Sequence, residues 1–330
     1  EICACLVGSE MCIRDRVNGF FIIFVIGYIG LSVVCASIMG YAQNAGIAVP
    51  DWIQYVMSEG IILLIAIIYM IVQKIDPITE IPYKRISIVD IVLSLVAGYC
   101  LIPAVLLISN LSMLFSTNYL EEGTTTLLTY PFAMQVILLA VIPPLVEELI
   151  FRGIFFGSYR KAGMTGAALM SGLLFGCFHL NINQALYAFV MGIVFAYMVE
   201  ATGSLWSSVI AHFAVNTYSI GIVQLLKMAG MYTSDGQLSG VAEGEAELAA
   251  STGTLATVIQ MIILAVVAAA FMMLAIVCIK TMAKRHGNLE KIRFSGIRLS
   301  HIKNYFTAPV VVGIVICVMY MITLELAGTL

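Results

Sequence analysis

Pro143-Pro144-Leu145-Val146-Glu147-Glu148-Leu149-Ile150-Phe151-Arg152-Gly153 sets two adjacent carboxylates and an arginine inside an apolar stretch. In hydrocarbon each charge costs roughly 3 kcal/mol or more. Ionisable residues held in a membrane segment at that cost read first as a functional site. The question the stretch poses is whether the rest of the chain is a membrane protein and supplies partners for these groups.

The composition answers the first half. Of 330 residues, 61% are hydrophobic and 11% are charged, and the mean hydropathy is +1.03. A soluble domain carries about 25% charged residues. The fold class expected is therefore all-α, a polytopic transmembrane helical bundle of about eight or nine spans. A net charge of −3 leaves no electrostatic footprint for a nucleic-acid partner. The cysteines Cys3, Cys5, Cys12, Cys35, Cys100, Cys177, Cys278 and Cys317 show no CxxC spacing. The later five lie in apolar helices and read as small hydrophobes, not as disulfides or a zinc site.

A bilayer crossing needs about 20 apolar residues. Nine candidates follow: Asn18–Gly40, Tyr55–Gln73, Ser87–Ser109, Phe132–Phe156, Thr165–His179, Ala185–Glu200, Leu205–Leu226, Thr254–Ile279 and Thr307–Ala327. The fifth and sixth are short. Lys and Arg concentrate in cytoplasmic loops, and here they fall after span two (Lys74, Lys84, Arg85), after span four (Arg160, Lys161) and after span eight (Lys280 to Lys303). Loops 41–54, 110–131 and 228–253 have none. The N-terminus is expected inside and the C-terminus outside. The turn Ala201–Ser204 is assigned to the cytoplasmic side by parity alone. Segment 229–251 is acidic and glycine-containing and reads as a flexible extracytoplasmic loop. Segment 282–305 is its basic cytoplasmic counterpart. Residues 17–330 read as a single membrane domain with a catalytic core at about 132–226. Glu1–Arg16 resembles translated sequencing-adapter read-through and is set apart from the fold argument.

Glu148 and Arg152 are four residues apart with the acid first, the favourable order for a helical ion pair. Glu147 lies about 100° further round the helix and has no such local partner, so it stays free to act as a base. Pro143 and Pro144 remove backbone donors just upstream and leave carbonyls that need side-chain or water partners. The fifth span ends at Phe175-Gly176-Cys177-Phe178-His179. The seventh holds His212 and Asn216, four apart and so on one face. At 1.5 Å rise per residue, Glu147 lies roughly 15 Å from its span's cytoplasmic end, His179 roughly 20 Å into its span, and His212 and Asn216 roughly 10 and 16 Å into theirs. All four can meet in mid-membrane. Glycines 166, 172, 176 and 192 permit close helix approach.

A carboxylate and a histidine can activate water, and a second histidine with an asparagine amide can donate to a developing oxyanion. That set suits hydrolysis of a peptide bond. Glu147, His179 and His212 are also groups that bind zinc or another divalent metal, whose bound water is a nucleophile. With or without a metal, both routes stay open. No HExxH, no pair of intramembrane aspartates and no glycine-flanked serine points to another protease class. A membrane scaffold or immunity protein, or a proton-coupled transporter, are the alternatives from other classes; no inverted repeat favours the transporter.

Glu147-Glu148-x-x-x-Arg152, Phe175-x-x-x-His179 and His212-x-x-x-Asn216, in this order on successive helices, resemble the CPBP (Abi) intramembrane protease family, which includes the type II CAAX prenyl endopeptidases. The resemblance covers about Pro143–Asn216. It implies Glu147 as the water-activating base with His179, His212 with Asn216 as oxyanion stabilisers, and Glu148 and Arg152 in support. Family members are described both as metalloproteases and as metal-independent glutamate enzymes. The substrate implied is a peptide or protein, either lipidated like a CAAX protein or carrying a leader peptide. The location implied is the lipid bilayer, and in a bacterium the cytoplasmic membrane.

Overall fold

Apolar runs this long have one way to satisfy their backbone in lipid, which is to form helices. The computed structural model describes residues 2–117, 130–230, 254–294 and 305–328, and every regular element among them is helical. We number these α1 (Ile2–Asn44), α2 (Trp52–Gln73), α3 (Ile88–Ser112), α4 (Phe132–Tyr159), α5 (Met164–Phe178), α6 (Ile182–Thr202), α7 (Trp206–Met228), α8 (Thr254–Arg285) and α9 (Ala308–Gly328). Eight of them, all but α5, are long and apolar enough to cross a membrane, in α1 from Arg16 onward and in α8 from Leu255. The chain is an integral membrane protein. The expected fifth span is α5, a 15-residue apolar helix.

The bundle turns large aliphatic side chains outward. Ile23, Ile68, Ile71, Val72, Ile262 and Val266 are each more than half exposed on helix faces. That is the pattern of helices solvated by lipid tails. Inside lie two apolar clusters. One is rich in phenylalanine: Phe20, Phe21 and Phe24 of α1 pack with Phe151 and Phe155 of α4 and Phe178 of α5. The other joins Ala97 and Leu101 of α3, Phe195 and Met198 of α6, Ala211 of α7 and Ala275 of α8. Helices α4, α5 and α7 carry the polar motifs, and α6 contributes to both clusters.

The basic loops gather at one end. Ser204 Oγ donates to Lys84 O at 2.5 Å, and Leu205 N–H donates to Pro82 O at 2.7 Å. Asn288 Nδ2 donates to Ala201 O at 3.0 Å, Arg285 Nε lies 3.3 Å from Asp90 Oδ1, and Arg160 Nε lies 3.5 Å from Glu200 Oε2. The turn at 201–204 carries no basic residue of its own, yet it shares this end with the loops that do. At the other end Asn183, at the start of α6, donates to Ser109 O and to Ser112 Oγ at the end of α3 (3.0 and 2.8 Å).

The close approaches expected of glycine occur where α5 crosses α6. A Cβ on Gly172 would come 2.7 Å from Phe189 O, and one on Gly176 would come 2.5 Å from Ala185 O. Gly192 backs onto Gly172: a Cβ added to it would come 2.6 Å from Gly172 Cα. Gly166 differs: its neighbour is the Tyr305 ring just before α9, not another helix of the motif region. Cys35, Cys100, Cys177, Cys278 and Cys317 are free thiols, and all but Cys35 are buried. Most of the acidic segment (231–253) and part of the basic connector (295–304) lie outside the described residues, as do the side chains of Cys3, Cys5 and Cys12.

Candidate active site

Two prolines in succession decide the shape of α4. A helix carbonyl at position i is normally met by the N–H of residue i+4, or of i+5 in a π turn. For Leu139 those residues are Pro143 and Pro144, and neither has an N–H. The middle of the helix is α-form from Ile142 to Glu148, but Val136–Val141 before it and Leu149–Phe156 after it are wound as π-helix. Such π segments are frequent at functional sites. Neighbouring side chains donate to backbone carbonyls of both π segments. Asn216 Nδ2 donates to Leu139 O at 2.9 Å, and Ser171 Oγ of α5 donates to Phe151 O at 2.8 Å.

The α-form turn carries both glutamates. Glu148 and Arg152 are fully buried, and Arg152 Nη1 lies 3.0 Å from Glu148 Oε1. The contact is close but off the hydrogen-bond axis: none of the three guanidinium nitrogens has a hydrogen-bond partner. Arg152 is held instead by charge and by two rings, with Cζ 4.3 Å from the Phe175 centroid and 5.3 Å from that of Phe195. Glu148 Oε1 also accepts from His212 Nδ1 at 3.1 Å, while its Oε2 is buried without a partner. One carboxylate oxygen therefore meets both the arginine and the imidazole.

That contact orients His212. With Nδ1–H directed at Glu148, Nε2 is turned toward Glu147, 3.6 Å from its Oε2. The separation is longer than a hydrogen bond of 2.7–3.2 Å. The two groups face each other and can both reach a third group set beside the gap. The Glu147 side chain is partly accessible (14%) and His212 nearly closed off (4%). His179, at the end of α5, is half-buried, and its Nδ1 lies 2.7 Å from Phe175 O. That nitrogen carries the hydrogen, and Nε2 is the free one. No hydrogen bond or ion pair joins His179 to Glu147. Phe175 stands beside both imidazoles, its ring 4.6 Å from His179 and 5.8 Å from His212, both edge-on.

The four expected residues thus come to one region, but only two of them face each other directly. Glu147 and His212 are in direct opposition, and Asn216 sits one turn from His212 with one amide hydrogen engaged by Leu139. His179 joins them through Phe175, whose ring touches both imidazoles edge-on. Among the described residues no three His, Cys, Asp or Glu side chains are grouped so that they could hold a metal ion, so Glu147, His179 and His212 do not form a ligand set as they stand.

Glu59 of α2 was not singled out by the spacing of the motifs. Its Oε2 is buried with no hydrogen-bond partner. Helix α2 packs against the α4 turn that bears Glu147. The signal that finds it is the one that found Glu147, a carboxylate inside an apolar span. Phe195 was missed as well; in sequence it is an ordinary apolar residue, and only the fold stacks it beside Arg152 and His212.

Residues 129–218 match the family model described as Type II CAAX prenyl endopeptidase Rce1-like. The match includes Glu147, Glu148, Arg152, His179, His212 and Asn216. A Bacillus subtilis (strain 168) protein whose name reads "Putative membrane peptidase YdiL" is 34% identical over 93 residues. That stretch is 28% of this chain and 38% of the relative's length. No solved structure matches the chain. Over this central segment the resemblance to the CPBP protease family is borne out.

Proposed function

We propose that this chain, which carries the core of the CPBP family over residues 129–218, is an intramembrane endopeptidase. It hydrolyses a peptide bond at a site walled by α2, α4, α5 and α7. The observation that carries the reading is the opposition of His212 Nε2 and Glu147 Oε2 at 3.6 Å, with Glu148 Oε1 behind the ring at 3.1 Å. When protonated, an imidazole between two carboxylates is an N–H donor on both sides. Such a donor stabilises the oxygen of the scissile carbonyl as it gains charge. Glu147, the accessible carboxylate, takes the proton from the attacking water and returns it to the leaving amine. His179 Nε2 supplies a second contact to that water, and the remaining amide hydrogen of Asn216 a second donor to the oxyanion.

We take the carboxylate itself, not a metal, to activate the water. Support comes from the geometry of Glu147, His179 and His212, which do not converge as ligands. The substrate class is a peptide or protein segment presented at the membrane, either a lipidated CAAX-like tail or a leader peptide, in the cytoplasmic membrane of a bacterium. The test uses the full chain in liposomes with two quenched-fluorophore peptides, one ending in a farnesylated CAAX sequence and one leader-like and unmodified. E147A should insert and fold but lose cleavage of whichever peptide the parent cuts. Retained turnover in E147A would remove the base assignment and leave the scaffold and transporter readings. Turnover that survives exhaustive chelation supports the metal-free route; loss that added zinc restores would overturn it.

A further inference from the structure

Membrane helices with broken backbone must find donors for the carbonyls they strand. Leu139 is stranded twice, because both residues whose N–H could reach its oxygen are prolines. The π winding of Val136–Val141 does not help it: that winding passes the Ile142 N–H to Ile137 O and leaves Leu139 O over. The donor that arrives is Asn216 Nδ2, from α7, at 2.9 Å. An apolar side chain at 216 would leave that carbonyl unserved inside the bundle.

The same face of α7 delivers His212 to Glu148, one turn from Asn216 and nine residues along α4 from Leu139. Two polar contacts thus pin α4 to α7, one on each side of the proline pair. A single contact would let the α-form turn Ile142–Glu148 rotate or slide. Two fix both its rotation and its depth, and Glu147 lies on that turn.

We infer that Asn216 is a positioning residue: it replaces the helix hydrogen bond that Pro143 and Pro144 delete, and so sets the turn that presents Glu147 to His212. This role is separate from donation to an oxyanion, because the amide has two hydrogens and Leu139 uses one. The inference rests on the proposed function for its activity arm only; its stability arm stands without it.

The test is a double-mutant cycle on the full chain, with P143A, N216A and P143A/N216A, read by thermal unfolding in detergent and by kcat and KM for the cleaved peptide. Alanine at 143 restores an N–H four residues after Leu139. N216A alone should lower Tm by about 2–4 °C and kcat by roughly 100-fold, with KM little changed. Adding P143A should recover at least half of the Tm loss and about tenfold in kcat. An unfolded P143A is replaced by P144A, which restores the donor at i+5. Equal losses from N216A in both backgrounds, in Tm and in kcat, would overturn the inference. So would rescue of Tm without rescue of kcat, which would leave the bond structural and Glu147 independent of it. If E147A keeps its activity, the functional reading fails while the Tm cycle still decides the hydrogen bond.

Discussion

Glu148 Oε1 concentrates the site's electrostatics in one atom, with Arg152 at 3.0 Å and His212 Nδ1 at 3.1 Å. Removing one partner of a buried ion pair strands the other charge and costs about 3–5 kcal/mol. R152A should therefore destabilise the protein by about that amount, as measured by unfolding in detergent. R152K keeps the charge but loses the planar group stacked between Phe175 and Phe195, so it should recover less than half of the loss. At His212 the expectation is kinetic. H212A should fold and bind peptide yet lose roughly 100-fold or more in kcat. Unchanged turnover would make the histidine a packing residue.

Among the elements, the α5–α6 crossing sets how near the second imidazole comes. Gly192 is the tight point nearest the buried arginine: an added Cβ would lie 2.6 Å from Gly172 Cα and 3.0 Å from Arg152 Nη2. G192A should cost about 1–3 kcal/mol by overpacking and lower activity through the displaced Arg152. Gly221 on α7 is the contrasting case, with nothing within 4 Å of an added Cβ. G221A should be neutral, or stabilising by up to about 1 kcal/mol from helix propensity. Equal effects at the two positions would mean that the crossing is not the tight point.

For the whole molecule the sharp expectation concerns sides. The loops at 74–87, 160–163, 201–205 and 285–288 meet at one end through hydrogen bonds and ion pairs. Cysteines placed at Lys84, Arg160 and Trp206 in a cysteine-free background should react with an impermeant thiol reagent from the same face, and one at Ile47 from the opposite face. By the distribution of Lys and Arg the shared face is expected to be the cytoplasmic one. Labelling of Trp206→Cys from the face of Ile47→Cys would break the bundle as described.

What the sequence determined by itself is whatever a length or a spacing encodes. Apolar runs of twenty residues must become spans, because lipid offers their backbone no other partner. Glu148 with Arg152, and His212 with Asn216, had to share faces because four residues is close to one helical turn. The proline pair announced stranded carbonyls. Tertiary structure alone decided who answers them. No spacing says that the Leu139 oxygen meets an asparagine 77 residues later, that one oxygen of Glu148 serves two partners, or that the helix of Glu59 packs on the turn that bears Glu147. Those contacts join helices whose mutual rotation and depth are fixed by packing at Gly172, Gly176 and Gly192 and by the phenylalanine cluster. Rotation and depth are properties of many side chains at once, and no single motif contains them.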